Sequence, residues 1–205
     1  MPVTINGNGT ITGVSVGGLP DGIVDTDMLA ANAVSSAKLA SGAGGKILQV
    51  VHVDKNDFFS TTSTSFTDIT GLTANITPTS ASNYILVDFK CSCSGGSNLY
   101  ATLRIQRLIA GGSYGDPSVI TPSSQNADAC HAGADNYVYG NYKISQRGAT
   151  IKDQPNTTLQ VSYKIQVRGQ SVGFSLNRTE RANGGNDATS LAQGVSSITL
   201  MEVAA

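Results

Sequence analysis

From Lys46 to the end of the chain, apolar side chains come in runs of roughly five to ten residues parted by turn clusters, and no helical period is sustained. Residues 98–109 carry the pattern best. Leu99, Ala101, Leu103, Ile105, Arg107 and Ile109 fall on one face, and Tyr100, Thr102, Arg104, Gln106 and Leu108 on the other. A period of two belongs to a strand that buries one face. Further strands are expected at 46–53, at 65–69 and 72–76 on either side of Gly71, and at 84–93, 137–145, 157–167, 172–177 and 195–203. Pro78-Thr-Ser-Ala-Ser-Asn83 reads as a turn. About eight short strands at this spacing predict an all-β fold, an antiparallel, jelly-roll-like β-sandwich over residues 46–205.

Residues 1–45 follow a different rule. The β-branched runs Val3-Thr-Ile-Asn6 and Gly9-Thr-Ile-Thr-Gly-Val-Ser-Val16 are punctuated by glycine, which predicts brief strands or extended segments joined by tight turns. Beyond the turn at Pro20-Asp-Gly22, the decads 22–31 and 32–41 copy each other. Val24 matches Val34, Leu29 matches Leu39, and a helix-capping residue, Asp25 or Ser35, follows each valine. Each decad therefore reads as an extended lead-in, a cap and one helical turn, too short to be stable alone in water. Stacking within one chain needs about three repeats, so two copies are expected to bury their aliphatics against the same segment of other chains. The prediction is a narrow homo-oligomeric neck seamed by Val24, Leu29, Val34 and Leu39. Ser41-Gly-Ala-Gly-Gly45 is then a flexible joint. The expected organisation is a leading segment at 1–20, a neck and hinge at 21–45, and a sandwich at 46–205.

Composition narrows the function. Charged residues make up 13% of the 205, and the net charge of -1 with scattered basic residues offers no footprint for nucleic acid. No stretch approaches the roughly 20 apolar residues of a membrane span, and Met1-Pro-Val-Thr-Ile-Asn6 lacks the basic start and apolar run of a signal peptide. Neither membrane insertion nor secretion is expected, and assembly in a cytoplasm follows. Cys91, Cys93, Cys130 and His131 are conceivable metal ligands, but Cys91 and Cys93 stand only one residue apart, which is poor spacing for structural zinc. Buried thiols acting as small apolar side chains are the better expectation, and no metal or cofactor is expected. Asp128 with Asp135, or Glu180 with Asp187, are the carboxylate pairs that glycan cleavage would require. No Gly-x-Ser-x-Gly elbow surrounds any serine, so the chain is not expected to be an enzyme.

Two long polar, Gly-rich stretches interrupt the strands, at 111–136 and 179–194. Loops of this kind on a rigid β scaffold are where binding surfaces are built. The first carries Tyr114, His131 and Asp135, and the second Arg181, Asn183, Asn186 and Asp187. Tyr114 together with Tyr137, Tyr139 and Tyr142 suits stacking on sugar rings, although the last three sit in an expected strand. Covering a sheet edge or packing on a neighbouring subunit is the competing use of both loops.

Several segments resemble bacteriophage virion fibre proteins of the marine and aquatic type. They are Ser35-Ser-Ala-Lys-Leu-Ala-Ser41 running on to Val51, Thr62-Ser-Thr-Ser-Phe-Thr-Asp68, Leu72 to Asn83, Asp153-Gln-Pro-Asn-Thr-Thr158, Tyr163-Lys-Ile-Gln166, Asn177-Arg178 and the closing Gly194 to Val203, most specifically its Ser197-Ile-Thr-Leu-Met-Glu202. The resemblance implies a homotrimeric short tail or head fibre located in the virion. Its N-terminus would dock on another virion protein, either tail, adaptor or capsid, and its knob would contribute to host attachment through a surface glycan or protein. The alternative is a capsid-decorating or tail-collar protein that binds no receptor.

Overall fold

The computed structural model describes residues 4–5, 11–12, 29, 33–34, 38, 46–95, 100–117, 132–135, 144–169, 173–178 and 193–205. The chain divides into two compact units, Met1–Gly45 and Lys46–Ala205. In the first, β1 (Thr4–Ile5) and β2 (Ile11–Thr12) pair antiparallel, with Thr4 opposite Thr12 and Ile5 opposite Ile11. Leu29 and Val34, one from each decad, are 44% and 49% exposed. Lys38 Nζ donates to the carbonyl of Ala33 at 3.1 Å. Val24 and Leu39 lie outside the described residues.

The second unit is all-β over its described residues. Its strands are β3 (Ile47–Lys55), β4 (Phe59–Thr61), β5 (Thr67–Ile76), β6 (Tyr84–Gly95), β7 (Tyr100–Ile109), β8 (Ala132–Asp135), β9 (Ser145–Asp153), β10 (Val161–Gly169), β11 (Phe174–Leu176) and β12 (Ser196–Val203). One antiparallel sheet runs β5-β10-β7-β8; the other runs β3-β12-β6-β11-β4, with β9 along the remaining edge of β6. Alternation places Ile69, Leu72, Tyr163, Ile165, Leu103 and Ile105 on the inner face of the first sheet and Val87, Phe89, Leu176, Ile198 and Leu200 on that of the second. They form one apolar cluster between the sheets, each fully buried aliphatic or aromatic side chain contributing about 1.5–3 kcal/mol. Cys91 and Cys93 belong to this cluster as free thiols. Burial pushes both thiols up, Cys93 to about 12, so neither forms a thiolate near neutrality.

Three expectations need correction. The segments 65–69 and 72–76 are one strand, because Gly71 at φ 88° forms a bulge that shifts the register against β10 and lets both Ile69 and Leu72 face the core. Strand β9 follows the expected 137–145 strand, of which only 144 and 145 are described; its inner positions are Ser145, Arg147, Ala149, Ile151 and Asp153. Three polar or charged residues among five inward positions, and Gly148 at mid-strand, hide the strand from any hydrophobicity pattern. The loop expected at 111–136 contains β8, which pairs with β7 from Tyr100 to Leu103.

Polar side chains fasten this frame at three places. Buried Asp153, at the end of β9, accepts Arg107 Nη1 at 2.8 and 3.0 Å and Tyr163 Oη at 2.6 Å, tying one sheet to the other. Burial first, then the negative charge of Asp153, drives the Tyr163 hydroxyl far above its ordinary range, so it stays a donor. Buried Glu202 of β12 accepts from Gln49 Nε2, from the backbone N and Oγ1 of Thr79, and from Asn83 Nδ2, at 2.5 to 2.8 Å. That carboxylate closes the turn at 78–83 onto the sheet. Asn177 adopts φ 66°, a left-handed conformation that asparagine tolerates. Its Nδ2 donates to the carbonyls of Lys55 and Asp57, its Oδ1 accepts Ser196 Oγ, and its backbone N donates to the carbonyl of Ser92. It fills the point where β6 exchanges β12 for β11 as its neighbour.

Candidate binding surface

Outward positions of β5, β10 and β7 carry a polar and aromatic cluster on the face opposite the core. Gln166 and Asp68 are register partners, and Gln166 lies opposite Arg104 on its other side. Arg104 donates Nε to Gln166 Oε1 at 2.7 Å, and Gln166 Nε2 donates to Asp68 Oδ1 at 2.6 Å. The Arg104 guanidinium lies 3.8 Å from the centroid of Phe66, and that of Arg168 lies 4.9 Å from the same ring. Lys164 meets the Asp68 carboxylate at 2.9 Å and stands 3.8 Å from the ring centre of Tyr114. Partial burial raises the pKa of Asp68, but the hydrogen bonds from Lys164 and Gln166 and the charges of Lys164 and Arg104 outweigh it, so the group sits below its ordinary value.

Tyr114 reaches this face because the loop after β7 folds back on its own strand. Arg107 N donates to the carbonyl of Gly115 at 2.7 Å, and Gly115 N returns a bond to Arg107 at 2.9 Å. Farther along the loop, β8 takes the same edge of β7 nearer its start. Gln106 Nε2, donating to Asp116 Oδ1 at 2.5 Å, adds a side-chain tie. The result is a shelf tied to β7, with Tyr114 38% exposed. Arg104, Lys164 and Arg168 outnumber Asp68 and Asp116, and aromatic rings lie among the cations. Such a face can hold an anionic group by charge and a flat ring by stacking.

No protein-family model and no curated protein matches this chain. Among solved structures, it is similar to a chain of the infectious bursal disease virus Gx strain, with 18% identity and a TM-score of 0.38 over 76% of this chain and 36% of that one. It is also similar to the infectious bursal disease virus VP2 subviral particle, with 16% identity and a TM-score of 0.35 over 76% of this chain and 37% of that one. A third likeness is to Eiger TNF from S. frugiperda, with 8% identity and a TM-score of 0.35 over 78% of this chain and 94% of that one. The chain thus spans about a third of the length of the two viral chains.

Of the other expected site residues, Asp135 lies in β8 opposite Tyr100. His131, Arg181, Asn183, Asn186 and Asp187 lie outside the described residues, as do Cys130, Asp128, Glu180, Tyr137, Tyr139 and Tyr142. Phe66, Asp68, Arg104, Lys164, Gln166 and Arg168 were not expected at a site. Their signal was present as polar residues at alternate positions, 104 and 106 on one strand and 164, 166 and 168 on another. Only strand pairing shows that these positions adjoin. A depression on the outer face between β6 and β9 measures about 380 Å³, and its lining includes Asp88, Lys90, Gln146, Gly148 and Thr150. Thr150 Oγ1 donates to Asp88 across it. Among the described residues, no cluster of three His, Cys, Asp or Glu is arranged to hold a metal, and no helix is long and apolar enough to cross a membrane.

Proposed function

We propose that this chain is a structural fibre protein of a bacteriophage virion. In this reading it is a homotrimer: residues 1–20 dock on another virion protein, residues 21–45 form the neck, and the sandwich is a knob that contributes to host attachment without catalysis of its own. The observation that supports the trimer is the exposure of Leu29 and Val34 in a single chain. Branched aliphatics repeated at decad spacing lose that exposure when three copies share an axis, and the three knobs then multiply weak contacts at a surface. The cationic, aromatic face around Tyr114 and Arg104 suits an acidic glycan as the attachment ligand.

Two measurements test this reading. By analytical ultracentrifugation the parent chain is expected to sediment as a trimer. Replacing Val24, Leu29, Val34 and Leu39 together by serine should release monomers whose knob keeps its melting transition, since each buried side chain contributes about 1.5–3 kcal/mol in every subunit. A monomeric parent would remove the fibre. Separately, saturating purified chain should block adsorption of virions to the host bacterium. Undiminished adsorption would rule out an attachment role and leave a capsid-decorating or tail-collar part.

A further inference from the structure

Strand β3 is an edge strand whose outer face is apolar where it begins. Among the described residues it has a strand neighbour on one side only, β12. Ile47, Leu48 and Val50 are 55%, 47% and 56% exposed. Regular alternation would turn Ile47 inward with Gln49 and Val51. The register shift between Glu202 and Val203, which pairs Val203 with Ile47 and skips Leu48, turns it outward instead. Next to Val50 in register come Met201 of β12 and Leu86 of β6, both half-buried on the same outer face. The following register row is polar: His52, Thr199, Asp88 and Thr150, with His52 Nδ1 and Thr199 Oγ1 2.7 Å apart and Thr150 bonded to Asp88.

An exposed apolar edge strand invites another chain, and stable proteins cover, charge or twist such edges. Here no proline or lysine interrupts positions 47–51. An apolar row bordered by a satisfied polar row has the anatomy of an interface core and its rim. We infer that the β3 edge, with Leu48, Val50 and Met201 at its centre, is the contact between knobs, and that its occupant is a second copy of this chain. The inference rests on the trimer proposed above, through chain continuity. From Leu39, the last aliphatic of the proposed neck seam, to Ile47 the backbone spans at most about 28 Å. Copies held together at the neck must therefore start their β3 strands close to one another, and the apolar end of β3 is the end nearest that tether.

The test uses the full-length chain. Leu48→Asp and Val50→Asp together change only exposed positions, so the knob's circular dichroism and melting should stay as in the parent. Association into trimers, followed by sedimentation equilibrium, is expected to weaken about ten-fold or more. In a Cys130→Ser background, Val50→Cys should form an intermolecular disulfide under mild oxidation, because Cys91 and Cys93 are buried and cannot compete. Thr73→Cys, exposed on the outer face of the opposite sheet, should not. A trimeric parent whose Val50→Cys form fails to cross-link, and whose aspartate variant associates as tightly as the parent, overturns the knob contact and leaves the neck reading standing. A monomeric parent overturns both.

Discussion

Asp153→Ala should lower the unfolding free energy of the knob by about 3–5 kcal/mol, the largest single-residue effect expected in this protein. The carboxylate is fully buried and receives Arg107 twice and Tyr163 once. Removing it takes from a largely buried guanidinium and a buried phenol an acceptor that offsets much of their desolvation. Tyr163→Phe removes one donor and leaves the ion pair, so it should cost about 1–2 kcal/mol. Equilibrium denaturation in urea measures both. The two sheets meet through this carboxylate, so a loss below 1 kcal/mol for Asp153→Ala would mean that the apolar core alone sets how they face each other.

The second large effect belongs to Glu202. Four donors from Gln49, Thr79 and Asn83 converge on its carboxylate, and Glu202→Ala should cost about 3 kcal/mol by leaving buried donors unpaired. Burial pulls its pKa upward, yet the hydrogen bonds from Asn83, Gln49 and Thr79 win and hold it below the ordinary value of 4.5. The sign follows from that depression. With a folded pKa below the unfolded one, the contribution is fully present above the ordinary value and is lost as pH falls through the folded value. Denaturation curves taken between about pH 7 and pH 3 should therefore show the parent and Glu202→Gln converging as the medium becomes acid. A constant gap across that range would show that shape, and not charge, makes Glu202 fit its site.

These polar fasteners join segments that lie far apart in the chain. The turn at 78–83 and the closing Ser197-Ile-Thr-Leu-Met-Glu202 stand far apart in sequence, yet Glu202 joins them directly. Asn177, just after β11, joins the end of β3, strand β6 and the start of β12 through hydrogen bonds with Lys55, Asp57, Ser92, Gly194 and Ser196. Asp68 and Gln166, from two further segments, are register partners bonded at 2.6 Å. Positions of this kind specify strand pairing and turn closure. They identify a fold more directly than a ligand.

Much of the architecture was legible where one rule dominates. Leu103 and Ile105 alternate with polar neighbours because the strand has one dry face, and period-two burial of that kind needs no knowledge of the partner strand. The rule failed at β9, whose inward Arg147 and Asp153 are charged. It also failed at Gly71, where a bulge keeps one strand continuous across what reads as a break. The candidate surface stayed hidden for a related reason: Phe66, Arg104 and Lys164 lie on three separate segments, and nothing local says that they share a face. Tyr114 alone could be named, from its place in a long polar loop.

Local pattern and composition by themselves determined the all-β class and the apolar face of each regular strand, since these depend on alternation within a few residues. Tertiary structure alone decided which strands adjoin, in what register, and so which polar residues meet. Asp153 finds Arg107 and Tyr163, Glu202 finds Asn83, and Lys164 finds Tyr114 only after loops of very different lengths have closed. Loop-closure entropy rises so slowly with length that local sequence scarcely discriminates among pairings; the fit of side chains across the finished sheets makes the choice.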